Sequence, residues 1–238
     1  MASTNRWAVR EAAEATFFDM TTGAPKVTLK TLKMTELTTN GETTYAMGGR
    51  GNAKLVGFTG NREARVTIQD AIFDNKALAM LTGKPIESLS RSRVVTEEVT
   101  AGADGKITLS NTTFAGDVNV EGVELIAADG VITTSDLEAG AKALVTYELP
   151  AAAASVITVT SKDFAGTYRL VLDVVVRDVE TGEDFYGQFI APKVQVENEF
   201  TFSFSPDGDP SVLDIPIEIL KDSNSDNMYE LVLFDNAN

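Results

Sequence analysis

The chain has 238 residues, 43% of them hydrophobic and 23% charged, enough apolar material for one large or two small cores and too much for a disordered chain. It contains no cysteine and no histidine, which excludes disulfides, thiolate zinc sites, cysteine nucleophiles and the commonest general base. Catalysis would have to come from carboxylates, Lys, Tyr or Ser, so an enzyme is not expected. The net charge of −15 is uneven: residues 1–119 hold 14 Lys and Arg against 13 Asp and Glu, whereas residues 120–238 hold 6 against 22. Such asymmetry concerns surfaces and partners rather than fold, and it offers no basic stripe for holding nucleic acid by counterion release. No run of eighteen apolar residues is present, and Glu11 and Glu14 interrupt the apolar core that a signal peptide needs. The expectation is a protein of the cytoplasm with no membrane insertion.

In chain order, Arg6 to Ala15 has the composition of a short helix, while Phe17-Phe18 reads as the start of a strand. Trp7 is the candidate for an N-terminal arm docking on a neighbouring molecule, because Trp is enriched at interface hot spots; the alternative is that it caps its own core. Pro25 opens a Thr/Lys/Leu segment to Thr38, and Asn40-Gly41 separates it from Glu42 to Met47. Asn-Gly between two β-prone runs is a strong short-range hairpin signal. The arms are threonine-rich and only weakly alternating, so this hairpin is expected to project from the body, rooted in the glycine cluster Gly48, Gly49 and Gly51. Asn40, Gly41, Tyr45, Gly48, Gly49 and Arg50 are its candidate assembly residues, against the alternative of a mobile surface loop.

From Arg62 to Gln69 the pattern alternates, with Ala64, Val66 and Ile68 on one face and Glu63, Arg65, Thr67 and Gln69 on the other, as in a strand wetted on one side. The period then changes. Phe73, Ala77, Met80 and Leu81 form a helical stripe, predicting a helix over about 71–82 that covers one face of a sheet. Asp70 or Asp74 suits its N-terminus, Gly83 its left-handed C-terminal position, and Pro85 stops it.

Glu97 to Ser155 is rich in Ala, Gly, Thr and Asp, with turn signals at Asp104-Gly105, Asp129-Gly130, Ala139-Gly140 and Pro150. Short strands are predicted at 106–109, 118–126, 131–134 and 143–149, making residues 95–159 a small β insertion, candidate for an outward-facing position, in a domain of 1–94 plus 160–238. The dipeptide Ile-Thr recurs at Ile107, Ile132 and Ile157, which coincidence explains better than a repeat does. The remainder reads as β: a long apolar strand over 168–177, a turn at Thr181-Gly182, a strand from Phe185, and an alternating run from Val194 to Phe204. Pro206 to Pro210 reads as a turn. Val212 to Leu220 contains Pro216 and is predicted as an edge strand or a bulge. Tyr229 to Phe234 closes the chain as another strand. The predicted fold class is mainly β with one clear helix.

Chemical motifs are missing. Gly49-x-Gly51 lacks the third glycine of a phosphate loop, and Gly83-Lys84 is followed by Pro85. Asp222-x-Asn224-x-Asp226 imitates half of a calcium loop, but Asn227 stands where Gly is needed and Leu233 where Glu is needed. Neither a metal nor a cofactor is expected. Glu197 and Glu199 are spaced to share a strand face, which more often is the wet side of a sheet than a hydrolase pair.

Two stretches resemble the tail tube proteins of tailed bacteriophages: Asn52 to Ala64 with the helix end Leu81-Thr82-Gly83, and Phe200 to Phe204 through Asp209-Pro210-Ser211 to Ile215-Pro216-Ile217 and Met228 to Leu231. The resemblance implies a β-sandwich or half-barrel flanked by one α-helix, in a structural virion protein, assembled in the host cytoplasm, whose copies form hexameric rings stacked as a hollow tail tube. Its partners would be further copies of itself and the tail sheath, tape measure and tail terminator or initiator proteins. DNA would pass without being bound specifically, and Asp173, Glu197, Glu199 and Glu218 are the candidates for an acidic lumen or groove. The alternative function is a capsid decoration or fibre-type β-sandwich binding module.

Overall fold

The computed structural model describes residues 6–11, 13–120, 123–125, 131–133, 137–201 and 212–234. In chain order the elements are β1 (Trp7–Val9), β2 (Glu14–Asp19), β3 (Pro25–Leu29), β4 (Leu32–Gly48), β5 (Ala53–Asp70), α1 (Asn75–Thr82), β6 (Glu87–Thr100), β7 (Lys106–Thr108), β8 (Ala115–Val120), β9 (Val123–Leu125), β10 (Val131–Thr133), β11 (Lys142–Val156), β12 (Thr167–Asp178), β13 (Asp184–Val196), β14 (Leu213–Ile219) and β15 (Glu230–Leu233). Among the described residues the fold is mainly β with one helix, as predicted. It divides into two units, Met1–Ile86 with Ile157–Asn238, and Glu87–Val156.

The first unit is a nine-stranded antiparallel sheet with the path β3-β2-β12-β13-β14-β5-β4, to which β1 adds on β12 and β15 on β13. Its two end strands, β3 and β4, are joined only by Lys30 and Thr31, so the sheet must curl back on itself. The inward positions alternate with the pleat: Phe17 on β2, Leu29 on β3, Val66 and Ile68 on β5, Leu170 on β12, and Ile215 and Ile217 on β14 are all at 2% exposure or less. Helix α1 lays Ala77, Leu78, Met80 and Leu81 on this core. Asp74 caps it, accepting from the backbone N–H of Lys76 and Ala77, so the helix starts at Asn75 and Phe73 falls outside the stripe. Asp70 instead holds the β3–β4 link, taking the Thr31 hydroxyl at 2.5 Å. Gly83 ends the helix at φ 70°, in the left-handed region.

The second unit places β6 and β11 side by side, with β8 added on β11 and β9 on β8, and β7 paired with β10 as a separate ribbon. Val118, Val145, Tyr147, Ile107 and Ile132 form its core. Ile107 and Ile132 face each other across the β7–β10 ribbon, whereas Ile157 lies in the first unit and is 38% exposed, so the Ile-Thr recurrence is no structural repeat. Glu97 is held on the core side of β6. Burial opposes its ionisation, but the hydroxyl and backbone N–H of Ser110 and the Tyr147 hydroxyl all donate to it and keep its carboxyl below the usual range.

Several expectations are corrected. Arg6 to Ala15 is no helix: Trp7–Val9 pairs with Asp178–Val176 as a strand. Pro150 is no turn, because β11 runs through it, paired with Ser92 beyond the last β8 partner at Glu148. Glu87 to Ser92, to which the sequence pattern assigns no element, is the first part of β6. The predicted strand over 194–204 stops at Val196, because the partner strand β12 begins at Thr167, opposite Gln195. The turn expected at Pro206 to Pro210 lies outside the described residues. Pro216 is in an interior strand between β13 and β5. Its carbonyl accepts from the Glu197 N–H, just beyond the final ladder pair of β13 and β14. The side of Pro216 that lacks an N–H therefore faces the place where β13 ends, so the missing donor costs one bond at the end of the ladder and none within it.

Candidate functional site

The projecting hairpin exists, but with other arms. Neither Asn40 nor Gly41 has positive φ, and β4 continues through them; its partner along the whole length is β5, from Leu32 opposite Asp70 to Gly48 opposite Ala53. The pairing slips between Asn40–Glu63 and Glu42–Gly60, with Asn61 at φ 49° and its side-chain amide donating to Glu42 at 2.8 Å. Asn40-Gly41 therefore marks a bulge rather than a turn. The turn is made where three left-handed residues cluster, Gly49, Gly51 and Asn52. The glycine cluster is the tip of the hairpin, not its root.

Beyond Ala64 every residue of β5 is exposed, and the opposing half of β4 is exposed as far as Met47. The paired stretch from Asn40–Glu63 to the tip is eight residues, so the ribbon reaches on the order of 25 Å past the body. Its two faces differ. On one, the Tyr45 ring lies over Gly57, where an added Cβ would meet it at 3.2 Å, and the Lys54 ammonium sits 4.0 Å from the ring centroid. On the other, Val56 and Phe58 stand two residues apart at 53% and 62% exposure, opposite Ala46 and Thr44. Between Thr43 and Arg62 there are three cations and no carboxylate, in a chain of charge −15.

The outer face of the sheet is the second surface. Register carries one row from Glu14 through Asp173 to Gln188, and another from Gln195 through Glu218 and Arg65 to Thr38. Asp173 and Glu218 thus share one face two strands apart. Asp173 accepts from the Gln188 amide at 2.6 Å. Glu197 and Glu199 are not on a strand, but both reach this face: Glu197 pairs with Arg65 at 2.8 Å, and Glu199 lines a groove of about 490 Å³ with Asp214, Thr67 and Gln69. Burial, then the nearby Glu197 and Glu63, push the Glu218 carboxyl above its usual value, while Arg65 pulls it down. Sequence reasoning had Arg65 on the wet side of its strand but missed Asp214 and Glu63 as parts of the same patch; their alternation with Ala64 and Ile215 was the available signal.

Trp7 is half-buried in β1, alongside an Arg10 guanidinium that reaches Asp184 at 2.6 Å. Among the described residues no group of three or more Asp or Glu side chains could hold a metal ion. Among the described residues no helix is long and apolar enough to cross a membrane.

The described residues thus form a curled β body with a long basic and apolar ribbon reaching out of it and an open charged sheet face. The chain belongs to the YomU/Tube protein family, whose model matches residues 7–232. It is similar to the tail tube protein of Bacillus phage SPR, with 28% identity over 197 residues covering 78% of this chain and 73% of the relative. It is therefore a phage tail tube protein, a structural component of the virion tail and not an enzyme.

Proposed function

We propose that six copies, the number that the resemblance to tail tube proteins implies, close into a ring, and that rings stack into a hollow tube through which DNA passes. The observation that carries this reading is the β4–β5 ribbon. A two-stranded ribbon exposed on both faces is marginal in isolation and exposes apolar side chains at a cost, so its long projection makes sense when another molecule covers it. Asn40, Gly41, Tyr45, Gly48, Gly49 and Arg50 belong to it, and it serves as the clasp to the next ring.

The outer sheet face is assigned to the lumen. Its carboxylates Glu14, Asp173, Glu197, Glu199, Asp214 and Glu218 outnumber Lys30, Arg65, Arg169 and Arg177, and a surface of that sign lets a polyanion slide without sticking. Lateral closure would satisfy the free edges of β3 and β4, which otherwise invite non-specific pairing. Trp7, on a strand at the border of the sheet, is a lateral docking residue in this arrangement. The unit Glu87–Val156 is an outward-facing decoration. Tail sheath, tape measure and terminator or initiator proteins would be the remaining partners.

The test is truncation. Thr43 and Thr59 are opposite each other, so everything from one to the other can be replaced by Asn-Gly between Glu42 and Gly60. The shortened protein should melt as a folded monomer at the parent's temperature yet form no tubes in electron micrographs at milligram concentration. Long tubes from the shortened protein would remove the ribbon from the assembly.

A further inference from the structure

The groove on the outer sheet face contains an unsettled charge. Asp214 lines it from β14, opposite Gln69, and its Oδ1 is buried without a hydrogen-bond partner. A carboxylate held this way is costly unless a cation or donor supports it. Among the described residues none bonds it, and the one guanidinium lining the groove, Arg65, is committed to Glu197 at 2.8 Å. Glu199 adds a second carboxylate to the groove. The site is therefore negative, shaped, and short of a cation.

The complementary group stands at the other end of the same sheet. β5 runs from the ribbon tip, past the groove at Arg65 to Gln69, to its end at Asp70, so tip and groove lie at opposite ends along the strand direction. The tip carries Arg50, exposed between two left-handed glycines, on the stretch from Thr43 to Arg62 that holds three cations and no carboxylate. A planar guanidinium is the cation best matched to a carboxylate pair. Within one copy the tip points away from its own groove. Between copies stacked in one direction, tip meets groove, and a contact of two different patches propagates without limit.

We propose that the Asp214–Glu199 groove is the receiving site for Arg50 at the ribbon tip of a second copy, in the next ring of the stack. This rests on the tube reading above and names the partner surface of the ribbon.

The experiment exchanges the charges. Arg50→Glu and Asp214→Arg are made singly and together, and the critical concentration for tube formation is measured by sedimentation, with circular dichroism confirming that each monomer is folded. Each single variant should raise the critical concentration more than tenfold, and the double variant should return to within about threefold of the parent. Because the chain has no cysteine, Arg50→Cys protein mixed with Asp214→Cys protein should also form a disulfide-linked dimer under mild oxidation. If Asp214→Arg fails to fold, Glu199→Arg replaces it in the exchange. Parent tubes that form normally while Arg50→Glu assembles like the parent, or folded single variants that the double variant does not rescue, would overturn this contact and leave the tube reading intact. A parent that forms no tubes even when seeded would overturn both.

Discussion

Replacing Val56 and Phe58 together by Thr separates assembly from folding. Both side chains are on one face of the ribbon at 53% and 62% exposure, so the monomer draws little from them. Thr keeps the strand propensity of the positions. Full burial of a Val or Phe side chain is worth about 1.5–3 kcal/mol, and slightly over half of each remains to be buried, leaving about 1–1.5 kcal/mol per residue for a neighbour to collect. Together that is about 2–3 kcal/mol for each subunit contact, a rise of about 30- to 100-fold in the critical concentration for tubes. Sedimentation of a dilution series gives that concentration, and a thermal melt of the unassembled protein gives the control. The melting temperature should stay within a couple of degrees, since surface substitutions are usually within about 0.5 kcal/mol. Tubes forming at the parent's concentration would refute the reasoning, because the exposed pair would then be covered by nothing.

Other predictions follow from the first unit's packing and from the two shifted carboxyls. At Gly83 an added Cβ would sit 2.1 Å from the Phe164 carbonyl oxygen, at a φ of 70° that side chains rarely adopt. Gly83→Ala should therefore cost about 2–4 kcal/mol, seen as a melting temperature lowered by about 5–15 °C. Glu97 titrates below its unfolded value, so the stability it contributes is present above the ordinary Glu range and is lost as the pH falls through its folded value; Glu97→Gln should flatten the acid limb of the melting curve of the second unit. Glu218 has the opposite sign. Its raised proton affinity makes ionisation a cost in the folded state, so stability rises as the pH falls through its folded value. Glu218→Gln should raise the melting temperature at neutral pH and abolish that rise.

The body of the fold was legible because its strands obey the pleat. Ala64, Val66 and Ile68 against Glu63, Arg65 and Thr67 gave β5 its inner and outer faces, and Asp74, Gly83 and Pro85 bracketed the helix. The ribbon was legible as a projecting hairpin but not in its pairing. Asn40-Gly41 satisfies the local turn rule, yet the Gly49–Asn52 cluster provides three left-handed positions and lets β4 pair with all of β5. That choice depends on long-range pairing which local propensity does not register. Pro216 shows the same limit, since its tolerance depends on where β13 stops. The outer-face patch was only half legible. The alternation marks which residues are wet, but the neighbours of Asp214 and Glu218 come from strands far apart in the chain.

The most direct test of the account is electron cryo-microscopy of tubes grown from the purified protein, seeded with a tail-tip complex if necessary, at a resolution that traces β4, β5 and β14. The account predicts six-fold rings with Asp173 and Glu218 facing the bore and each β4–β5 ribbon reaching into the neighbouring ring. Tubes with that sheet face turned outward, or a protein that stays monomeric at milligram concentration with the seed present, would contradict it.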